Sequence, residues 1–122
     1  MTPPRPDWIR LRAALWERCD GRCEVSGLPL DEETFDAHHR LNKGMGGTTR
    51  WFRDDLTNLL ALDPIVHNGG PKSVHGQRPW SEQRGYLIPK LARYPPGIMP
   101  VWLHGTRWVH LTSDGRRLPV AL

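Results

Sequence analysis

Five residues stand in an order that chemistry could use: the adjacent pair His38-His39, then Asn58, His67 and His75. Imidazole is a common metal ligand, and its ordinary pKa lies close to neutrality, so such a set suits metal binding or proton transfer. Hydrolysis of a phosphodiester needs both. A divalent cation must neutralise charge on the leaving and non-bridging oxygens, and a base must deprotonate water. A further group, usually an amide or carbonyl, must orient that base. Basic side chains and open backbone must then admit a bulky polyanion. The segment offers Arg40, Lys43, Arg50, Arg53 and Lys72 for the first purpose and Gly44-Met45-Gly46-Gly47 for the second.

The elements that must position these residues can be read around them. Thr34 to Arg40 (TFDAHHR) is expected as a short strand. Adjacent strand residues point to opposite faces, so one histidine of the pair would face a metal and the other the water, with the choice left open. Residues 41–50 are a loop, since closely spaced glycines disfavour regular structure. Asn58 stands at the start of Leu59-Leu60-Ala61-Leu62, an apolar run suited to a buried strand. Asp63-Pro64 opens a short helix, with Asp as cap and Pro in the first turn, and Asn68-Gly69-Gly70-Pro71 stops it. Pro71 or Ser73 begins another short helical piece through His75. Pro79-Trp80-Ser81 reads as a break, and Tyr86-Leu87-Ile88 as a strand or buried anchor.

Upstream, Asp7 caps a helix running through Cys19, with Trp8, Leu11 and Leu15 on one face and Asp20-Gly21 as its stop. Cys23 to Pro29 is a turn or short hairpin around Ser26-Gly27. Downstream, Val101–His104 and Arg107–Thr112 are two strands joined near Gly105, followed by a turn at Ser113–Arg116. The expected fold is a small α+β domain: a flexible arm over 1–6, the main domain over 7–90, and a C-terminal β-hairpin extension over 91–122 packed on it.

Composition narrows the classes. A chain of 122 residues is one domain with a thin core. Twelve Gly and twelve Pro argue against a helical bundle or coiled coil. No run of 18 apolar residues exists that could cross a membrane, and MTPPRPDW holds no apolar signal core. Two cysteines, Cys19 and Cys23, exclude a disulfide framework. Six Trp are read mainly as core packing, Trp51 between Arg50 and Arg53 being the candidate for a DNA contact. Charge is uneven: residues 1–37 carry 5 basic and 8 acidic side chains, net −3, whereas everything after residue 37 is net +7 and holds all six His. Such a block suits a phosphate-facing surface, or simply a solvated one.

The series His38-His39-Arg40, Gly44-Met45-Gly46-Gly47, Asn58-Leu59-Leu60-Ala61-Leu62 and His67 resembles the HNH endonucleases, in particular the small versions carried by tailed bacteriophages. The resemblance covers about residues 16–90. It implies a ββα-metal finger, two strands and a helix around one divalent cation (Mn²⁺, Mg²⁺, Ni²⁺ or Zn²⁺). It implies His38, His67 and His75 as ligands, His39 as the general base, and Asn58 as the brace of the loop between the strands that orients the base. Arg40 and Lys43 would contact phosphate. Double-stranded DNA would be the substrate, in the cytoplasm of a bacterial host, with the phage terminase subunits as a partner in packaging. Many relatives carry a structural zinc on two C-x-x-C pairs. The matching positions here are Cys23, Ser26, Asp63 and Val66, so no four-cysteine zinc is expected and ordinary packing, with the Trp residues, takes its place.

Blander readings stand beside these. A non-catalytic DNA-binding or assembly module on a degenerate finger would use the same basic block, and a structural metal domain the same histidines. Asp36 lies on the same strand face as His38; it is read as paired with a nearby Arg, or else as completing the metal shell. His104 and His110 are expected at the surface.

Overall fold

The computed structural model describes residues 7–41, 52–89 and 94–120. These form a small α+β structure with two antiparallel sheets. The first helix, α1 (Trp8–Cys19), starts where the Asp7 carboxylate accepts the Arg10 backbone N–H at 3.1 Å. It ends at Asp20 and Gly21, with φ of 53° and 70°, a left-handed exit that stops the helix. Strand β1 (Asp36–His39) pairs with β2 (Leu59–Leu62), placing His38 opposite Leu60 and His39 opposite Leu59. All four residues of β2 are buried. Their alternation divides the core: Leu60 and Leu62 join one apolar cluster, and Leu59 and Ala61 join another with Leu15, Cys19 and Phe35 of α1 and its neighbourhood.

Helix α2 (Pro64–Asn68) follows β2 at once, with Asp63 accepting from the Ile65 and Val66 N–H groups. The helical piece expected through His75 is absent. Residues 71–76 are turns, held by Val74 N–H to Val66 O at 2.8 Å and His75 N–H to His67 O at 3.2 Å. The expected break at Pro79-Trp80-Ser81 is instead the start of α3 (Arg78–Gln83), because proline in a first turn costs no helical hydrogen bond. Tyr86–Ile88 is a buried anchor, tied by Ile88 N–H to Arg40 O at 2.8 Å.

The C-terminal part is a three-stranded sheet rather than a hairpin: β3 (Val101–Leu103), β4 (Arg107–Leu111) and β5 (Arg117–Pro119), in that order. The third strand is short, polar and ends on proline, which an edge tolerates and a hydrophobic pattern does not reveal. Its inner residues Val101, Leu103, Val109 and Leu111 enter the same cluster as Leu60 and Leu62.

Of the four positions Cys23, Ser26, Asp63 and Val66, two pack in the core and two make local polar contacts. Cys23 is fully buried with Val25, Leu60 and Leu62; Val66 packs against that cluster; Ser26 accepts from Leu28 N–H; and Asp63 caps α2. Beside them lies a buried ion pair. Arg18 grips Glu24 at 2.7 and 3.1 Å and also donates to the carbonyls of Leu56 and Leu59. Arg117 reaches Glu24 at 3.0 Å, joining β5 to α1. The described tryptophans pack at the margin of the core: Trp80 and Trp102 lie against one cluster and Trp8 and Trp16 against the other, all half-buried, as is Trp108.

Candidate metal centre

Three imidazoles converge between β1, α2 and the turn that follows it. His38 is 2% exposed, His67 lies on α2, and His75 is lashed to His67 by backbone hydrogen bonding. His38 Nδ1 lies 3.2 Å from His67 Nε2, and His75 Nε2 lies 3.1 Å from the same atom. One nitrogen from each of the three falls within 4.8 Å of the others, close enough to hold a metal ion.

The outward nitrogens fix which atoms face inward. His38 Nε2 lies 2.6 Å from the Tyr86 carbonyl, which can only accept, so Nε2 carries the hydrogen and Nδ1 the lone pair. Burial, reinforced by the neighbouring His67, His75 and His39 and opposed by that hydrogen bond, pushes His38 down to about 3. It is therefore neutral at ordinary pH. His67 Nδ1 donates to the Asp36 carboxylate at 2.8 Å, which directs Nε2 inward. Burial, then His67 and Arg78, also lowers His75. Two basic nitrogens, His38 Nδ1 and His67 Nε2, thus face each other at 3.2 Å, with His75 Nε2 3.1 Å from the second. A cation relieves this: a tetrahedron with bonds of ~2.05 Å has edges of about 3.3 Å. Hydrogen bonding of the outer nitrogens to a carbonyl and a carboxylate is the usual support of metal-binding histidines. Among the described residues Asp36 pairs with His67 and not with an arginine.

His39 points away from this cluster, as strand alternation demands. Its Nε2 donates to Asp54 Oδ1 at 2.9 Å, and its ring meets the Trp8 ring edge-on at 5.8 Å. Burial alone would raise Asp54, but hydrogen bonds from His39 and Arg53 outweigh it and hold the carboxyl below its ordinary range. The structure therefore settles which member of the pair joins the cluster: it is His38.

Asn58 is fully buried and braces the loop between the strands. Its Oδ1 accepts from Leu41 N–H at 2.8 Å, and its Nδ2 donates to the carbonyls of Leu41 and Arg53. It thereby touches Arg53, the residue before Asp54.

Arg40 is a correction. Expected at a phosphate, it is fully buried. Its guanidinium donates to Gly85 O, Thr57 O, Pro96 O and Met99 O at 2.6–2.9 Å. Burial, with Arg18 adding to it, lowers Arg40 to about 9, so it stays charged at neutral pH. Arg53 is half-exposed and paired with Asp54, and Lys72 is exposed. Lys43, Arg50, Trp51, the Gly44–Gly47 loop and the 1–6 arm lie outside the described residues.

His104 and His110, expected at the surface, are half-buried and outside the cluster. Cys19 and Cys23 are buried free thiols, and burial pushes Cys19 up, away from reactivity. Among the described residues no helix is long and apolar enough to cross a membrane. Asp54 and the Tyr86 carbonyl were not found from sequence. Asp54 carries a weak signal, an acidic residue inside a basic stretch, but its partner lies fifteen positions upstream.

Comparison with family models, curated proteins and solved structures finds no match for the chain.

Proposed function

We propose that the chain is a metal-dependent phosphodiesterase acting on DNA, an endonuclease or nickase built on a ββα-metal finger of β1, β2 and α2. The observation that carries this reading is the pairing of two unlike sites on consecutive residues of one strand. His38 belongs to a three-imidazole cluster in which His38 and His67 turn a basic nitrogen inward, and His39 is bonded to a carboxylate. His38, His67 and His75 would hold a divalent ion, Zn²⁺, Ni²⁺ or Mn²⁺ by ligand type, with Mg²⁺ served by a more hydrated version. When bound, that ion supplies Lewis-acid neutralisation of the phosphate oxygens.

The remaining work belongs to the chain. Asp54 keeps the hydrogen on His39 Nε2, which makes Nδ1 the basic nitrogen that takes a proton from the attacking water. Asn58 fixes the loop that presents Asp54. Arg53 and Lys72 offer charge to the backbone of the substrate. The resemblance of the His38-His39, Asn58 and His67 series to HNH nucleases points the same way.

The test is nicking of supercoiled plasmid by purified protein with each of Mn²⁺, Mg²⁺, Ni²⁺ and Zn²⁺. His39→Ala is expected to lower the rate by about 10²–10⁴-fold while the protein still binds metal. No nicking by wild type with any of these ions, or equal nicking by His39→Ala, overturns the proposal.

A further inference from the structure

The C-terminal sheet has a second face. Val101, Leu103, Val109 and Leu111 point into the core, so the alternate residues Trp102 and Trp108 point out. They are direct cross-strand partners, with ring centroids 5.2 Å apart and planes tilted by 54°. Two indoles left half-buried side by side are costly unless something covers them. Beside them is a cavity of about 340 Å³ lined by Gln83, Arg84, Trp102 and Trp108. That lies at the lower end of small-molecule sites and suits a nucleoside-sized group.

The walls are preformed. Trp102 N–H donates to Arg84 O at 2.9 Å, Tyr86 Oη donates to Trp102 O at 2.6 Å, and Val120 N–H donates to Trp108 O at 3.2 Å. Arg84 lies over the Trp80 ring at 4.5 Å and donates to the Trp80 carbonyl. Among the described residues it forms no ion pair with a carboxylate. Gln83 is exposed at the end of α3, with an amide that can both donate and accept.

We infer that this cavity binds an unpaired base of single-stranded DNA. The indoles provide stacking surface, which every base accepts. The Gln83 amide meets a base edge, as glutamine amides do in base recognition. The unpaired charge of Arg84 faces the adjoining phosphate. An apolar peptide would use the indoles but not this charge, whereas a nucleotide uses all three features in a chain that is net +7 after residue 37. The choice of DNA rests on the phosphodiesterase reading; the binding chemistry does not. The site would let the protein hold a locally opened strand.

The test is a tryptophan-fluorescence titration in EDTA with three probes of equal length: oligodeoxythymidylate, an abasic deoxyribose-phosphate strand, and a duplex. The thymidylate is expected to quench the indoles and to bind more tightly than either of the others. Trp108→Ala should weaken it on the order of tenfold to hundredfold, and Trp108→Phe should restore most of the loss. Gln83→Ala, at an exposed position that the fold does not need, should weaken it by about fivefold. Equal binding of the abasic strand, unchanged binding by both Trp108→Ala and Gln83→Ala, or quenching by a proline-rich peptide in place of the oligonucleotide overturns the inference. No metal is present, so a failure of plasmid nicking leaves this result intact, and loss of oligonucleotide binding leaves nicking to be judged separately.

Discussion

Two buried polar centres lie on consecutive stretches of β1 and its exit, and they are satisfied in opposite ways. Around Arg40 each guanidinium nitrogen meets an acceptor: the group joins carbonyls at residues 57, 85, 96 and 99. Around His38, His67 and His75 the outer nitrogens of His38 and His67 are satisfied, while the inner His38 Nδ1 and His67 Nε2 face each other at 3.2 Å with His75 Nε2 3.1 Å from the latter. A complete centre needs nothing more and serves the fold. An incomplete one is stable only with something added, which is the mark of a binding site. The difference also explains why a basic residue beside two candidate catalytic histidines is not a substrate contact.

The sharpest way to break this comparison is to unmake the complete centre. Arg40→Leu leaves the carbonyls of Thr57, Gly85 and Met99 without the guanidinium, Pro96 O keeping the Met99 N–H, and is expected to cost on the order of 4 kcal/mol or more, enough to unfold a marginal domain. Urea denaturation measures it. A loss below about 1 kcal/mol would mean that water replaces the guanidinium, and the distinction between the centres would fail.

A second buried polar centre, Glu24 with Arg18 and Arg117, has one buried nitrogen without a partner, Arg117 Nε, and gives a pH signature. Burial alone would raise Glu24, but the two arginines outweigh it and hold the carboxyl below 4.5. A carboxyl with a depressed folded pKa contributes its stability above the unfolded value and loses it as pH falls toward the folded one. Wild-type stability should therefore drop as pH falls below about 4.5, and Glu24→Gln should flatten that part of the curve. At neutral pH Glu24→Gln is expected to cost about 3 kcal/mol, because Arg18 is then left buried without its counter-charge. A wild-type curve that Glu24→Gln leaves unchanged in shape would remove Glu24 as the cause.

The incomplete centre should respond to addition rather than removal. Zn²⁺ or Ni²⁺ at about a hundred times its dissociation constant should stabilise the protein by about 2.7 kcal/mol, a rise in melting temperature of roughly 10 °C. His67→Ala, which contacts both other imidazoles, should abolish the rise, and His39→Ala should keep it. If His39→Ala removes the stabilisation equally, the two faces of β1 are one site and not two.

Much of this geometry was legible in the sequence where the signal is local. Asp7, Asp63 and Pro64 announce helix starts through their own side chains, and Leu59–Leu62 is apolar on both faces because both faces are buried. The three ligand candidates are implied by the resemblance to HNH nucleases, and the structure brings all three together. What sequence could not supply is distance through space. Arg40 is basic whether it faces solvent or four carbonyls, and those carbonyls come from segments 17 to 59 positions away. Asp54 and Asp36 are acidic residues like any other until the fold sets them against His39 and His67. The turn after Gly70 looked helical because proline and serine often open helices, yet backbone bonds to α2 hold it in place instead.

The finest test concerns Asp36, since it links the two kinds of centre: its carboxylate satisfies one nitrogen of His67 so that the other stays available. Asp36→Asn keeps the shape and an acceptor oxygen but removes the charge that favours the Nδ1–H tautomer. The side chain is 40% exposed, so water moderates the loss and metal affinity is expected to fall by about tenfold, the lower end for such supporting groups. Titration calorimetry with Zn²⁺ reads it directly, and without metal the melting temperature should barely move. An unchanged affinity would show that His67 finds its tautomer without help. A total loss would instead place Asp36 on the metal itself, and the cluster would be a site of three imidazoles and one carboxylate.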